Sequence, residues 1–359
     1  MTTPAVRAVK ESLPGRRLFF LTSAAGAGAA RLVPEIDEVL VYDAPWMKAT
    51  QSRPESSADR EAIDRLRAFR FDGAVIFTVY SQSPLPAALF CYLADIPLRL
   101  AYCRENPYRL LTHHIAEDEP GEKAFNGGGA RLPEGAGLPV EGAGTHVRHE
   151  VRRQLDLVAH IGCTTEDERL SLKVPEEAVR AAREVLRQVG VSGQPFIAVH
   201  PGATAPSRRY PAEGFSEVCR ALTAKTSLPV VFTGDESEKL LVDAIRRGVK
   251  ARTYSVAGGL GLSGLAALID DASLLISNNT GPAHIAAALG TPVVGLYALT
   301  NPQHTPWKVA SRVLFHDVPC KFCYKSVCPR GTNDCLASVS PQDVVAAAME
   351  LLGPCLPSA

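Results

Sequence analysis

Apolar residues in this chain fall into short unbroken runs, separated by longer stretches where they recur every three or four positions. A run such as Pro229-Val230-Val231-Phe232 is too short for a helix and apolar at successive positions, the pattern of a parallel strand buried on both faces. This reading places strands at Leu18–Thr22, Val39–Tyr42, Ala74–Thr78 and Leu98–Tyr102 in the first half. In the second half they fall at Phe196–His200, Pro229–Thr233, Leu274–Ser277, Val293–Tyr297 and Val313–His316. Amphipathic helices are expected at Thr3–Ser12, Ala24–Val33, Ser57–Phe69 and Pro84–Leu93, then at Pro175–Val189, Glu213–Thr223, Glu236–Arg247, Leu262–Asp271, Pro282–Leu289 and Pro341–Leu352. Alternation of this kind in both halves predicts two doubly wound, Rossmann-like α/β domains, at 1–172 and 173–359. The C-terminal helix is a candidate to pack back on the first domain, and a cleft between two such domains is the natural ligand site. Glu117–Gly144, with Gly127-Gly128-Gly129, interrupts the rhythm and reads as a surface loop.

Composition narrows the classes. The 359 residues are 46% hydrophobic and 21% charged, with 38 basic residues balancing 38 acidic ones. A neutral chain lacks the basic footprint of a general nucleic-acid binder. No run approaches the ~18 apolar residues that span a bilayer. Met1–Arg7 lacks the apolar core of a signal peptide, so a cytoplasmic protein is expected, with peripheral inner-membrane contact left open. Of nine cysteines, Cys91, Cys103, Cys163, Cys219 and Cys355 lie in apolar or helical surroundings and read as buried thiols.

Three motifs follow strands of the second half. Leu274–Ser277 runs into Asn278-Asn279-Thr280-Gly281-Pro282-Ala283-His284, where Pro282 suits the first turn of a helix. The unpaired N–H groups and positive dipole end of such a start favour a phosphate. The plainer alternative is a well-capped helix with a structural histidine. His200-Pro201-Gly202-Ala203-Thr204-Ala205-Pro206-Ser207-Arg208-Arg209-Tyr210-Pro211 offers backbone donors, hydroxyls and two arginines to a diphosphate, or is an exposed loop with solvated arginines. Thr233-Gly234-Asp235-Glu236-Ser237-Glu238 supplies acids that either favour the next helix's start or accept hydrogen bonds from sugar hydroxyls.

In this order, and followed by Leu299-Thr300-Asn301-Pro302-Gln303-His304-Thr305-Pro306-Trp307, the motifs resemble glycosyltransferase family 9, the ADP-heptose:lipopolysaccharide heptosyltransferases. The resemblance implies a GT-B fold, two Rossmann-like domains facing across a cleft, with the acceptor domain first and the nucleotide-sugar domain second. It implies inverting transfer without a metal, from ADP-heptose to a lipopolysaccharide-core or related lipid-linked glycan. Carried over by motif, Thr280, Gly281 and His284 hold the donor diphosphate, and Ala203 and Thr204 line the same pocket. Arg208, commonly Lys in the family, offsets charge on the leaving nucleotide together with His284. Glu238 holds the ribose and Leu262 packs on the base. Asn279 stands where many members have Asp, which removes a negative charge beside the diphosphate. Arg104, Glu105 and Asn106, after the strand ending near Tyr102, are candidate acceptor contacts.

Family members open with a strand and a Gly-Asp loop, whose Asp is the catalytic base. Met1–Lys10 resembles the helix that follows, so the expectation is a truncated or mis-started N-terminus, and no base is nominated. Asp37 and Asp43 are candidates by residue type alone, with turn roles preferred. Cys320-x2-Cys323-x4-Cys328-x6-Cys335 is a candidate tetrahedral zinc site, structural rather than catalytic. The interleaved Lys321, Lys325 and Arg330 form either a solvated face or a contact for anionic acceptors and headgroups. Two other readings are an inactive nucleotide-sugar binder, and a different two-domain enzyme such as a GT-B-like sugar epimerase or a dinucleotide-dependent oxidoreductase. The lack of Gly-x-Gly-x-x-Gly after an early strand argues against the dinucleotide version.

Overall fold

The computed structural model describes residues 1–47, 50–51, 53–117, 148–249 and 251–353. The Gly127-Gly128-Gly129 segment and Cys355 lie outside the described residues. The described chain divides into a first unit, 1–117 with 148–168, and a second, 169–353. The division falls between Glu168 and Arg169, where the sequence reading places it at 172/173.

The first unit contains, in order, α1 (Thr3–Glu11), β1 (Phe19–Thr22), α2 (Ala24–Ala30), β2 (Glu38–Val41), α3 (Ser57–Phe69), β3 (Gly73–Ile76), α4 (Leu85–Leu93), β4 (Leu98–Cys103), β5 (His113–Ala116) and α5 (Glu150–Ala159). Its strands form two separate parallel sheets, β1-β2 and β3-β4-β5. Leu40 of β2, Ile76 of β3, Phe90 of α4 and Ala101 of β4 nevertheless share one hydrophobic cluster. On the other side of β4, Leu100 and Tyr102 pack with Leu157 of α5. Neither β5 nor α5 is among the expected elements.

The second unit contains α6 (Glu176–Gln188), β6 (Ile197–His200), α7 (Ala212–Thr226), β7 (Val230–Phe232), α8 (Lys239–Arg247), β8 (Thr253–Ser255), α9 (Leu262–Asp271), β9 (Leu274–Asn278), α10 (Gly281–Leu289), β10 (Val293–Leu296), β11 (Ser311–Leu314), α11 (Asp334–Ala337) and α12 (Pro341–Leu352). Its single sheet runs β11-β10-β9-β6-β7-β8, every pair parallel. β6, β7, β9 and β10 are buried throughout, as their unbroken apolar runs require. The helix expected from Glu236 opens instead as a 3-10 turn, Glu236–Glu238, and becomes α-helical at Lys239. α12 packs on α7 and on β9, β10 and β11, burying Val344, Val345 and Leu352 in this unit's core.

The strand order locates the site. From β6 the chain steps outward to β7 and β8, then returns to lay β9 on the other side of β6. Loops leaving the carboxyl ends of β6 and β9 therefore diverge, and open parallel sheets bind ligands in the crevice at such a reversal.

Candidate functional site

The crevice at the ends of β6 and β9 is a cavity of about 480 Å3. Its β6 side is the loop Ala203–Pro206 with Arg208, and its β9 side is Asn279, Thr280, Gly281 and His284. His304 and Ser326 complete the lining. Among the described residues the ionisable side chains that line it are Arg208, His284 and His304, with no carboxylate.

Each wall is fixed by the residue before it. Asn278, wholly buried at the end of β9, donates from Nδ2 to the Pro201 carbonyl at 2.7 Å. Its Oδ1 accepts the Tyr210 N–H at 3.1 Å, so one side chain clamps both ends of the 201–210 loop. Arg209 Nε donates to the Ala203 carbonyl at 2.7 Å, holding the same loop from within. Thr280 is the extended residue before α10, and its hydroxyl makes no capping bond to the helix. The helix start at Gly281 is thus presented to the cavity with its positive end. Pro282, Ala283, Ile285, Ala286 and Ala287 bury the rest of α10.

Arg208 ends a 3-10 turn, Pro206–Arg208. Its Nη2 donates to Asn301 Oδ1 at 3.2 Å, and Asn301 Nδ2 stands 2.8 Å from His304 Nδ1. The Thr300 hydroxyl donates to the same Asn301 oxygen at 3.0 Å. Asn301 therefore holds the guanidinium toward the cavity without neutralising it, leaving its charge for a ligand.

Seven of the nine residues expected around the donor line this cavity: Ala203, Thr204, Arg208, Asn279, Thr280, Gly281 and His284. Glu238 and Leu262 do not. Glu238 forms a reciprocal capping box with Asp235, its Oε2 accepting the Asp235 N–H at 3.0 Å. Its carboxylate lies against Gly202, so it stands beside the loop whose residues line the cavity. Leu262 begins α9 and is 38% exposed. Ala205, Pro206, His304 and Ser326 line the cavity without having been expected there. The first two follow Thr204 directly, but Ser326 belongs to the cysteine segment and nothing in its sequence context pointed to the site. His200 is buried beneath, Nδ1 3.0 Å from Thr233 Oγ1, and burial lowers its pKa to about 4.

In the first unit the expected acceptor contacts lie on the loop after β4. The Arg104 guanidinium sits 4.6 Å from the Tyr80 ring centroid, and Asn106 Oδ1 accepts the Tyr108 N–H. Hydrogen bonds from its own backbone N–H and the Ser83 hydroxyl hold the Glu105 carboxyl below its ordinary range. Asp37 accepts from Lys10 Nζ and the Leu18 N–H, and Asp43 from the Ala24 N–H, both at turns. Sequence reasoning missed a buried cluster on α5. Arg153 makes two bonds to Glu117 at 2.6 and 2.7 Å, and reaches Glu150 Oε1 at 3.0 Å and the Thr78 carbonyl at 2.5 Å.

Cys320, Cys323, Cys328 and Cys335 surround a second, small cavity of about 20 Å3. Among the described residues no three His, Cys, Asp or Glu side chains already stand at a spacing that holds a metal ion, so the expected closed tetrahedron is not formed here. Cys91, Cys103, Cys163 and Cys219 are buried free thiols. No helix among the described residues is long and apolar enough to cross a membrane.

The sequence pattern of Glycosyltransferase family 9 (heptosyltransferase) matches residues 143–333. Lipopolysaccharide heptosyltransferase 3 of Escherichia coli K12 is 30% identical over 165 residues, which are 45% of this chain and 47% of that protein. The chain thus spans about half the length of this curated relative. Among solved structures, the family 9 glycosyl transferase of Veillonella parvula superposes with a TM-score of 0.78 at 20% identity, over 98% of this chain and 93% of that one. E. coli ADP-heptose lps heptosyltransferase II gives 0.71 at 21%, over 98% and 94%. These likenesses show the fold, α/β of the GT-B class, with a parallel-sheet unit in each half.

Proposed function

This chain belongs to glycosyltransferase family 9, and from that membership we propose that it transfers heptose from ADP-heptose to a lipopolysaccharide-core sugar or related lipid-linked glycan. The observation that carries the proposal is the cavity at the β6/β9 reversal. A helix start, Arg208, His284, His304 and the hydroxyl residues Thr204, Thr280 and Ser326 converge there, and none of the described lining residues is a carboxylate that would repel an anion. Backbone N–H groups at a helix start together with a guanidinium are the donors a diphosphate requires.

In this reading an acceptor hydroxyl oxygen attacks the anomeric carbon from the face opposite the diphosphate. The bond from that carbon to the β-phosphate oxygen breaks, its electron pair leaves with ADP, and configuration inverts. The hydroxyl proton passes to a base that this proposal assigns to no residue of the chain. Arg208, His284 and the start of α10 stabilise the charge that grows on the departing diphosphate, a preorganised arrangement that needs no metal. Glu238, next to the Gly202 loop, faces the ribose, and Leu262 at the head of α9 faces the base. The Arg104–Asn106 loop meets the acceptor. With the donor in the cytoplasm and the acceptor lipid-linked, the protein works at the cytoplasmic face of the inner membrane.

Calorimetric titration with ADP, UDP, GDP and ADP-heptose tests the donor half of this reading. Selective binding of ADP and ADP-heptose is expected, weakened in His284→Ala. A folded protein that binds none of them, or binds all equally with and without His284, sinks the assignment. Release of ADP on adding a core-glycan acceptor tests transfer.

A further inference from the structure

The displacement described above uses Arg208, His284 and the start of α10, and leaves His304 on the cavity wall without a task. His304 closes the 3-10 turn Pro302–His304, which Asn301 precedes. Residues three apart in such a turn come to one side, so the two side chains meet. The turn is anchored from behind, because the Phe322 and Tyr324 N–H groups donate to the Leu299 and Thr300 carbonyls at 2.6 and 2.9 Å.

The hydrogen bonds around Asn301 fix the protonation state of the ring. A guanidinium has only N–H donors and nothing that accepts. The Asn301 atom 3.2 Å from Arg208 Nη2 is therefore the carbonyl oxygen, which also takes the Thr300 hydroxyl at 3.0 Å. That leaves the amide nitrogen toward His304, 2.8 Å from Nδ1. A ring turned over would put a carbon there, and 2.8 Å is a hydrogen-bond distance, too short for carbon against nitrogen. Since the amide nitrogen only donates, Nδ1 presents a lone pair and the ring proton sits on Nε2. An imidazolium would set two N–H groups against each other, unless Asn301 turned over and faced Arg208 with an N–H instead. One amide thus ties the bond to Arg208 to the neutrality of His304.

Both ends of this relay face the cavity. Arg208 and His304 line it together, and Arg208 Nε is buried without a hydrogen-bond partner among the described residues. A buried N–H left in that state is costly until a ligand oxygen meets it.

We propose that His304 is a further ligand-contacting residue of the donor pocket, a neutral imidazole whose Nε2–H donates to a phosphate oxygen of the nucleoside diphosphate, and that Asn301 is the positioning residue that fixes this tautomer. The contact rests on the donor reading, whereas the tautomer does not. The assignment also removes His304 from the search for the base. Asn301 occupies its Nδ1 lone pair and Nε2 already carries a proton, so neither nitrogen can take one from an acceptor hydroxyl. What the ring supplies is a directed bond beside the permanent charge of Arg208, in place before the diphosphate departs.

Long-range proton–nitrogen correlation NMR of the full chain, with its histidines nitrogen-labelled, reads the tautomer at neutral pH, and His304→Gln identifies the signal. The natural chain should show the Nε2–H form. In Asn301→Asp the carboxylate accepts from both neighbours, so the ring should gain a proton on Nδ1. A ring protonated on Nδ1 in the natural chain overturns the relay, whatever the protein binds. Calorimetric titration with ADP reads the contact. His304→Ala should weaken binding about tenfold, and His304→Gln, which keeps an N–H, should recover part of the loss. If the natural chain binds ADP and His304→Ala binds it equally well, the contact is overturned while the donor reading stands. If the natural chain binds no ADP, the donor reading fails and the contact with it, and the NMR result alone decides the tautomer.

Discussion

Gly202 is a glycine for want of space. A Cβ there would stand 1.7 Å from Glu238 Oε1, so the capping carboxylate and the cavity loop can meet only over a bare Cα. Gly202→Ala is expected to displace Glu238, lowering stability by about 1 kcal/mol through the lost cap and loosening the Ala203–Thr204 wall. Urea denaturation and ADP titration of the same variant read the two effects separately. Arg208→Ala removes a permanent cation from the cavity wall and should weaken ADP binding roughly ten- to hundredfold, the range for hydrogen bonds to a charged group. Arg208→Lys should recover part of this, because it keeps the charge and loses the bond geometry that Asn301 sets. His200 gives a pH signature. Its folded pKa is about 4 against 6.5 for the free group, so the unfolded chain binds this proton first. Stability is therefore full above about pH 6.5 and declines as pH falls toward 4. Urea midpoints across that range should fall less in His200→Gln than in the natural chain; equal slopes would remove His200 as the cause.

Among the elements, α5 carries a buried charge cluster. Arg153 and Glu150 have side chains only 6% exposed, and Glu117 14%. Burial raises the Glu150 pKa, and Arg153 is the chief counterweight. Arg153→Ala strands two carboxylates, at an expected loss of about 3–5 kcal/mol, measurable by chemical denaturation. The sequence reading missed this helix because Glu150, Arg153 and Gln154 occupy its buried face, which a search for apolar periodicity scores as solvent. It missed β5 and β8 for a related reason. His-His-Ile-Ala and Thr-Tyr-Ser are edge strands, only partly covered, without the apolar run that reveals β6 or β9. The β6 and β9 loops were legible because Gly, Pro and hydroxyl residues directly follow buried strands. Ser326 was not, because hydrogen bonding of the cysteine segment, rather than any local pattern, brings it to the cavity.

At the scale of the molecule, each unit has a hydrophobic core of its own. Heating should therefore give two overlapping transitions rather than one. ADP at a hundred times its dissociation constant should stabilise one of them by about 2.7 kcal/mol. If the donor pocket is correctly placed, limited proteolysis will identify the protected part as residues 169–353.

The split sheet of the first unit bears on how the protein behaves in a tube. Among the described residues, two small parallel sheets have four margins where one sheet would have two. Leu21 on β1 and Val41 on β2 are each 39% exposed beside those margins. Extended backbone with apolar neighbours is a template for any passing strand, including one from another copy. Solubility, shelf life and the onset of turbidity should thus follow the smaller N-terminal unit, leaving the second unit intact inside whatever precipitates.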